Sequence, residues 1–361
     1  MSDRRTCDTI KASSKRGYFV LVTSMIERKS TSNWPVIGNE KVVEFLERSI
    51  ISNKLANAYL FCGPGQLGKR LIAEIFAKSI LCQDSKHKSA PCGQCAMCRQ
   101  FEKKIHPDFL SLNVERGKKT ISIESVRSFQ HEFNTTSLLG DTKIGIIDDA
   151  ADLSESGANA LLKMLEEPAG KSIIILITQF PNILPNTIIS RCQVIRFKLV
   201  GRSRIAEFLE QQGCSQEEAL RITAAALGRP GRALDYFNHS ILFDKHEEHA
   251  NDFFKLRREG LCYRFSFIQK YLGTKSRIDQ SNRIAELINL WITVIRDALL
   301  YKENNREQII NLNHSSELKK ISDARTNSDL LKEIQSLIAL RDSLDNNINP
   351  KLALENYLIN L

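Results

Sequence analysis

The sequence predicts a layer of parallel strands and flanking helices over residues 34–200, followed by an all-helical remainder. Three observations carry this. Tyr59-Leu60-Phe61-Cys62 is a short apolar strand running into Gly63-Pro64-Gly65-Gln66-Leu67-Gly68-Lys69-Arg70, after which Leu71, Ile72, Ile75 and Phe76 give one apolar face to a helix. Strand, glycine-rich loop and helix in that order are the setting of a phosphate-binding P-loop. Two unbroken β-branched runs, Lys143–Asp148 and Ser172–Thr178, read as strands buried on both faces of a parallel sheet. After Phe197 such runs cease, and Ile284, Leu287, Ile288, Trp291, Ile292 and Ile295 mark one face at helical spacing.

The remaining elements follow the same logic. Val42, Phe45, Leu46 and Ile50 lie at helical spacing ahead of the first strand. Ala158–Glu167 reads as a helix stopped by Pro168, Ser203–Gln212 and Ser215–Leu227 as short helices, and Pro230 opens another. Ligands of such an α/β layer are expected at the carboxyl ends of its strands.

Composition sets limits. The 361 residues leave room for two or three domains, and 42% hydrophobic residues is ordinary for a globular protein. No stretch reaches the roughly 18 apolar residues of a membrane span. The net charge of +9 permits an acidic partner or nucleic acid. Aromatics are only 7%, and no Lys/Arg block longer than two residues occurs outside the tail, which speaks against a dedicated DNA-binding module. Residues 1–33, with Arg4, Arg5, Lys11, Lys15 and Arg16 among many Ser and Thr, read as a disordered tail or an early start, Met25 being the alternative first residue. Tyr18–Val22 is too short for a signal-peptide core of about 7–15 residues. Five of the nine cysteines (Cys7, Cys62, Cys192, Cys214, Cys262) are scattered, as suits a reducing cytoplasm.

The other four, Cys82, Cys92, Cys95 and Cys98, have the spacing C-x9-C-x2-C-x2-C. Four thiolates with no open position describe a structural zinc site pinning an excursion between the P-loop helix and the next strand. A ferredoxin-type run requires a further cysteine where Glu102 stands; an iron–sulfur cluster and unliganded thiols are the alternatives.

The P-loop frame Gly63, Gly65, Gly68, Lys69 is intact but ends in Arg70, where Ser or Thr supplies the hydroxyl that ligates Mg²⁺. Asp148 ends a buried strand, where a carboxylate can hold Mg²⁺ through water; Asp149 stands where a hydrolase of this kind needs the longer Glu. A misplacement of about 1 Å can cost on the order of 10²-fold in rate. The plain alternative for this pair is a strand end and a helix N-cap. If Arg70 snorkels to the surface, Lys69 and the loop amides stay open to phosphate. ATP or ADP binding is therefore left open, while efficient turnover is not expected. Thr178, at the end of the last core strand, is a candidate γ-phosphate sensor or simply a strand terminator.

Taken together, these motifs resemble the subunits of bacterial replicative clamp loaders, a branch of the AAA+ group, and among them the delta-prime type. The resemblance runs from about Trp34 to the C-terminus. It rests on Val36-Ile37-Gly38, the P-loop frame, the four cysteines and His106-Pro107-Asp108. It continues in Asn159 to Pro168 (NALLKMLEEP), Ser190-Arg191-Cys192, Gly228 to Leu234 (GRPGRAL) and Asn349 to Glu355 (NPKLALE). It implies an AAA+ core at 34–200 with the zinc module at 82–98, a helical lid at 201–243 and a helical collar at 244–361 that joins related subunits. The gamma and tau subunits of such assemblies look like true ATPases with Lys-Thr in the P-loop; a Lys-Arg ending looks like delta-prime. The resemblance further implies that Arg191 is an arginine finger acting in trans, where a bare reading gives a surface ion pair. It makes Arg232 a lid sensor of nucleotide or a brace. The implied partners are gamma/tau and delta subunits, with a sliding clamp and primer-template DNA reached through the assembly. Two alternatives stand beside this: an ATP-hydrolysing subunit of gamma type, and a zinc-bearing DNA-binding module.

Overall fold

The structure, a computed structural model, describes residues 34–361 apart from 85–88, 116–117, 119, 169, 274–276 and 345–347. The readings of the 1–33 tail, Met25 and Cys7 lie outside the described residues. The chain divides into two compact units. One extends to Arg204 and takes in Arg229–Gly231; the other comprises Ile205–Gly228 and Arg232–Leu361.

In the first unit five parallel strands form one sheet: β1 (Ala58–Cys62), β2 (Phe109–Leu112), β3 (Lys143–Ile147), β4 (Ser172–Thr178) and β5 (Gln193–Arg196). The order across the sheet is β2-β3-β4-β1-β5. The three inner strands are buried at every residue, which is why their apolar runs are unbroken. Tyr59 pairs with Ile175 on one side and Gln193 on the other, placing β1 and the loop after it in the interior of the sheet. The helices of this unit are α1 (Glu40–Ile51), α2 (Lys69–Leu81), α3 (Ala96–Glu102), α4 (Ile123–Phe133), α5 (Glu155–Glu166) and the single turn α6 (Asn186–Ile189). One face of the sheet packs Phe61, Ile144, Ile146 and Ile175 against Ile72 and Phe76 of α2; the other packs Leu60, Ile147, Ile174 and Leu176 against Val126 of α4 and Leu161 of α5. This is the parallel α/β core, covered on both faces, that the sequence predicted.

Two details differ from the expectation. α5 begins at Glu155, ahead of the apolar pattern, because the Ser154 hydroxyl caps it by accepting from the Gly157 N–H at 3.1 Å. Thr178 ends β4, the last inner strand, as expected, but the sheet goes on: the edge strand β5, which the sequence did not announce, follows it and flanks β1.

Beyond Arg196 the described residues contain helices but no strand: α7 (Arg202–Gln211), α8 (Gln216–Ala226), α9 (Pro230–Asn238), α10 (Ser240–Arg258), α11 (Leu261–Leu272), α12 (Arg277–Lys302), α13 (Ser315–Ala324), α14 (Asn327–Ser343) and α15 (Pro350–Ile359). α12 is the hub of the second unit, packed against α10, α13, α14 and α15. Trp291 on α12 is fully buried and stacks with Phe253 at 4.9 Å and Tyr357 at 5.9 Å between ring centres. Asp297, also fully buried on α12, accepts from the backbone N–H groups of Ile310 and Asn311 at 2.9 and 2.8 Å, fixing the connection to α13.

Candidate nucleotide and trans-acting site

The P-loop bridges β1 and α2. Its glycines answer to separate demands. Gly63 has φ +140°, and a Cβ there would meet the Phe197 carbonyl oxygen at 2.5 Å. Gly68 has φ +80° with open space around it, so backbone conformation alone asks for glycine. A Cβ on Gly65 would press on the Gln179 side chain at 2.7 Å. Gln66, at the crest, accepts from the Gly231 N–H at 2.9 Å, and a Cβ at Gly231 would crowd that same carbonyl. Gly231 thus belongs to the loop's support, which accounts for part of the GRPGRAL motif.

Lys69 is buried and folds back onto its own loop, its ammonium donating to the carbonyls of Gly63 at 2.6 Å and Pro64 at 2.7 Å. Burial pulls its pKa down, against the pull of Asp148 and Asp149. Arg70 does not meet the condition of snorkelling to the surface. Its guanidinium turns along α2 and bonds Glu74 at 2.7 Å, Asp148 at 3.0 Å and the Asn113 side-chain oxygen at 2.5 Å. Burial works against its charge, but Glu74 and Asp148 outweigh it and raise its pKa. Asp148 continues β3, its N–H donating to the Leu112 carbonyl at 3.0 Å. The carboxylate expected to serve Mg²⁺ is thereby paired with a fixed cation of this same chain. The i,i+4 spacing of Arg70 and Glu74 was available in the sequence; Asn113 carried no local signal.

Asp149 is exposed, sits at φ +51° and precedes a 3₁₀ turn without capping it through its side chain. Thr178 is fully buried, and its hydroxyl accepts from the Phe180 N–H at 3.0 Å, closing the turn after β4. That bond explains a Thr here without a nucleotide. Arg232 lies on α9 in the other compact unit, where burial first, then Glu247 in opposition and Arg232 in support, set the His246 pKa at about 4.

Arg191 stands between α6 and β5. It pairs with Glu166 at 2.8 Å and donates to the Thr187 carbonyl at 2.9 Å, with 37% of its side chain exposed. The surface ion pair expected from a bare reading is present. Glu166 stands inside the NALLKMLEEP motif, and nothing in the spacing links it to Arg191.

The four cysteines converge. The sulfurs of Cys82, Cys92, Cys95 and Cys98 all lie within 4.8 Å of one another, with Cys82–Cys95 and Cys92–Cys98 at 3.9 Å. A tetrahedral ion with Zn–S bonds of about 2.3 Å separates its sulfurs by about 3.8 Å, so the set fits zinc. Backbone N–H groups of Cys95 and Cys98 donate to the Cys92 and Cys95 sulfurs at 3.3 and 3.4 Å. Burial works to raise the Cys95 thiol's pKa, yet the backbone N–H groups of Cys98 and Gln83 and the Cys98 and Cys92 thiols outweigh it and bring it to about 6. Trp34, ahead of α1, ties that segment to the module by donating to the Ser89 carbonyl at 2.8 Å. In the His106-Pro107-Asp108 motif, Asp108 is fully buried and accepts from the Leu138 and Leu139 N–H groups at 2.8 and 3.0 Å; the motif acts as a backbone clasp.

Comparison with known proteins places this geometry. A family model described as DNA polymerase III, delta subunit, matches residues 38–200, and one described as DNA polymerase III, delta subunit, C terminal, matches residues 269–361. The delta' subunit of DNA polymerase III from Bacillus subtilis is 28% identical over 89% of this chain and 95% of its own length. The tau subunit of the same organism is 30% identical over 74% of this chain and 50% of its own length. The delta' subunit of Pseudomonas aeruginosa is 38% identical over 43% of this chain and 47% of its own length. The chain thus spans about half the length of two of these relatives and nearly all of the third.

Proposed function

Because the chain belongs to the delta-prime family of DNA polymerase III clamp-loader subunits, we propose that it acts on a neighbouring subunit's ATP rather than on its own. In this reading Arg191 enters the adjoining site and neutralises charge developing on the transferred phosphoryl group. A finger of this kind is worth about 10³–10⁵ in rate. The neighbours are gamma/tau-type ATPases and a delta-type subunit. The assembly opens a sliding clamp and places it on primed DNA, in the bacterial cytoplasm, with residues 201–243 as lid and 244–361 as collar.

The observation that carries the reading is the Arg70–Asp148 pair at 3.0 Å. An internal cation sits on the carboxylate that a nucleotide's Mg²⁺ would need. Asp149, one methylene short of Glu, compounds the defect. Residual ATP or ADP binding through Lys69 and the loop amides stays compatible with this, but turnover does not. Zinc, held by Cys82, Cys92, Cys95 and Cys98, would fix the excursion around α3 and take no part in the reaction. Elemental analysis should then give one zinc per chain, and none would contradict that role.

The tau match favours a second reading, a subunit that hydrolyses ATP itself. The isolated chain separates the two. The first expects no turnover above background; a rate of about 1 per second or more would establish the second.

A further inference from the structure

Arg191 is held twice, and both holders are parts of the rigid core. Glu166 is the last residue of α5, a helix capped by Ser154 and anchored by the buried Ala158, Leu161 and Met164. Thr187 lies on α6, anchored by the fully buried Ile188, and its carbonyl also accepts from the Ser190 hydroxyl at 3.2 Å. One guanidinium nitrogen meets the Glu166 carboxylate at 2.8 Å and the other the Thr187 carbonyl at 2.9 Å. Two acceptors on two terminal nitrogens fix the plane of the group as well as its place.

The carboxylate sits where a helix does not favour it. Glu166 and then Glu167 close the C-terminal end of α5, the negative end of the helix dipole. Arg191 offsets that charge. The pair is also half exposed, 37% for Arg191 and 48% for Glu166, so it contributes little to stability. What such a pair can supply is orientation. A long, flexible side chain restrained before the reaction does not have to be ordered during it.

We propose that Glu166 is a positioning residue for Arg191, holding the guanidinium ready for the adjoining subunit's nucleotide. The proposal rests on the trans-acting reading of Arg191 and names the group that makes it effective.

The test uses the full chain reconstituted with its ATP-hydrolysing neighbours. Glu166→Gln keeps shape and an acceptor but removes the charge; Glu166→Asp keeps the charge. Glu166→Gln should lower the adjoining site's kcat by about threefold to tenfold, with KM for ATP and the Tm of the chain unchanged. Glu166→Asp should recover most of the rate. In an Arg191→Ala background, Glu166→Gln should add nothing. Wild-type kcat for Glu166→Gln beside an impaired Arg191→Ala would overturn the positioning role alone. An equal loss in both backgrounds would overturn it too. Full turnover by Arg191→Ala would remove the finger reading itself, and this inference with it.

Discussion

Arg70 and Arg191 belong to the same α/β layer and have opposite fates. Arg70 has three acceptors, Glu74, Asp148 and Asn113, supplied by α2, the residue after β3 and the segment after β2. Its charge is spent inside the fold. Arg191 has one carboxylate and one carbonyl, both near the surface. A cation enclosed by its own chain's anions is unavailable to anything else, whereas a partly exposed one can still meet a further anion. The two ends of the sheet thus differ in whether charge is consumed or presented. That difference is what the proposed action on a neighbour's nucleotide would exploit.

The contrast can be broken at either residue. Arg70→Ala should have the larger effect on the chain by itself. It strands Asp148 and Glu74, which are mostly shielded, and should lower unfolding free energy by about 2–3 kcal/mol in denaturant titration. A loss below about 0.5 kcal/mol would show that Arg70 is not the counter-charge described here. Arg191→Ala should cost under about 1 kcal/mol in the same titration, because an exposed pair is worth little. A larger loss would make Arg191 a structural residue and weaken the idea that it is held in readiness.

Much of this was legible in the sequence, and the exceptions have causes. β1, β3 and β4 announce themselves because strands covered on both faces cannot alternate with polar residues. β2 and β5 pass unnoticed: Phe109–Leu112 and Gln193–Arg196 lie at the sheet's edges, short and partly exposed, so neither burial pattern marks them. The cysteine cluster was fully legible because a tetrahedral site imposes local spacing. The destination of Arg70 was not. Whether it would reach solvent or turn inward depended on Asn113 and Asp148, brought beside it only by the parallel order of β2, β3 and β1. The Glu166–Arg191 pair was hidden for the same reason, joining two residues on either side of β4.

The sharpest measurement is ATP turnover in a reconstituted assembly where only the subunit adjoining Arg191 keeps a working P-loop lysine. Replacing Arg191 by Ala should cut turnover at that site by about 10³-fold or more while the assembly still forms. Turnover equal to that of the unaltered assembly would mean that this arginine completes no other subunit's reaction centre.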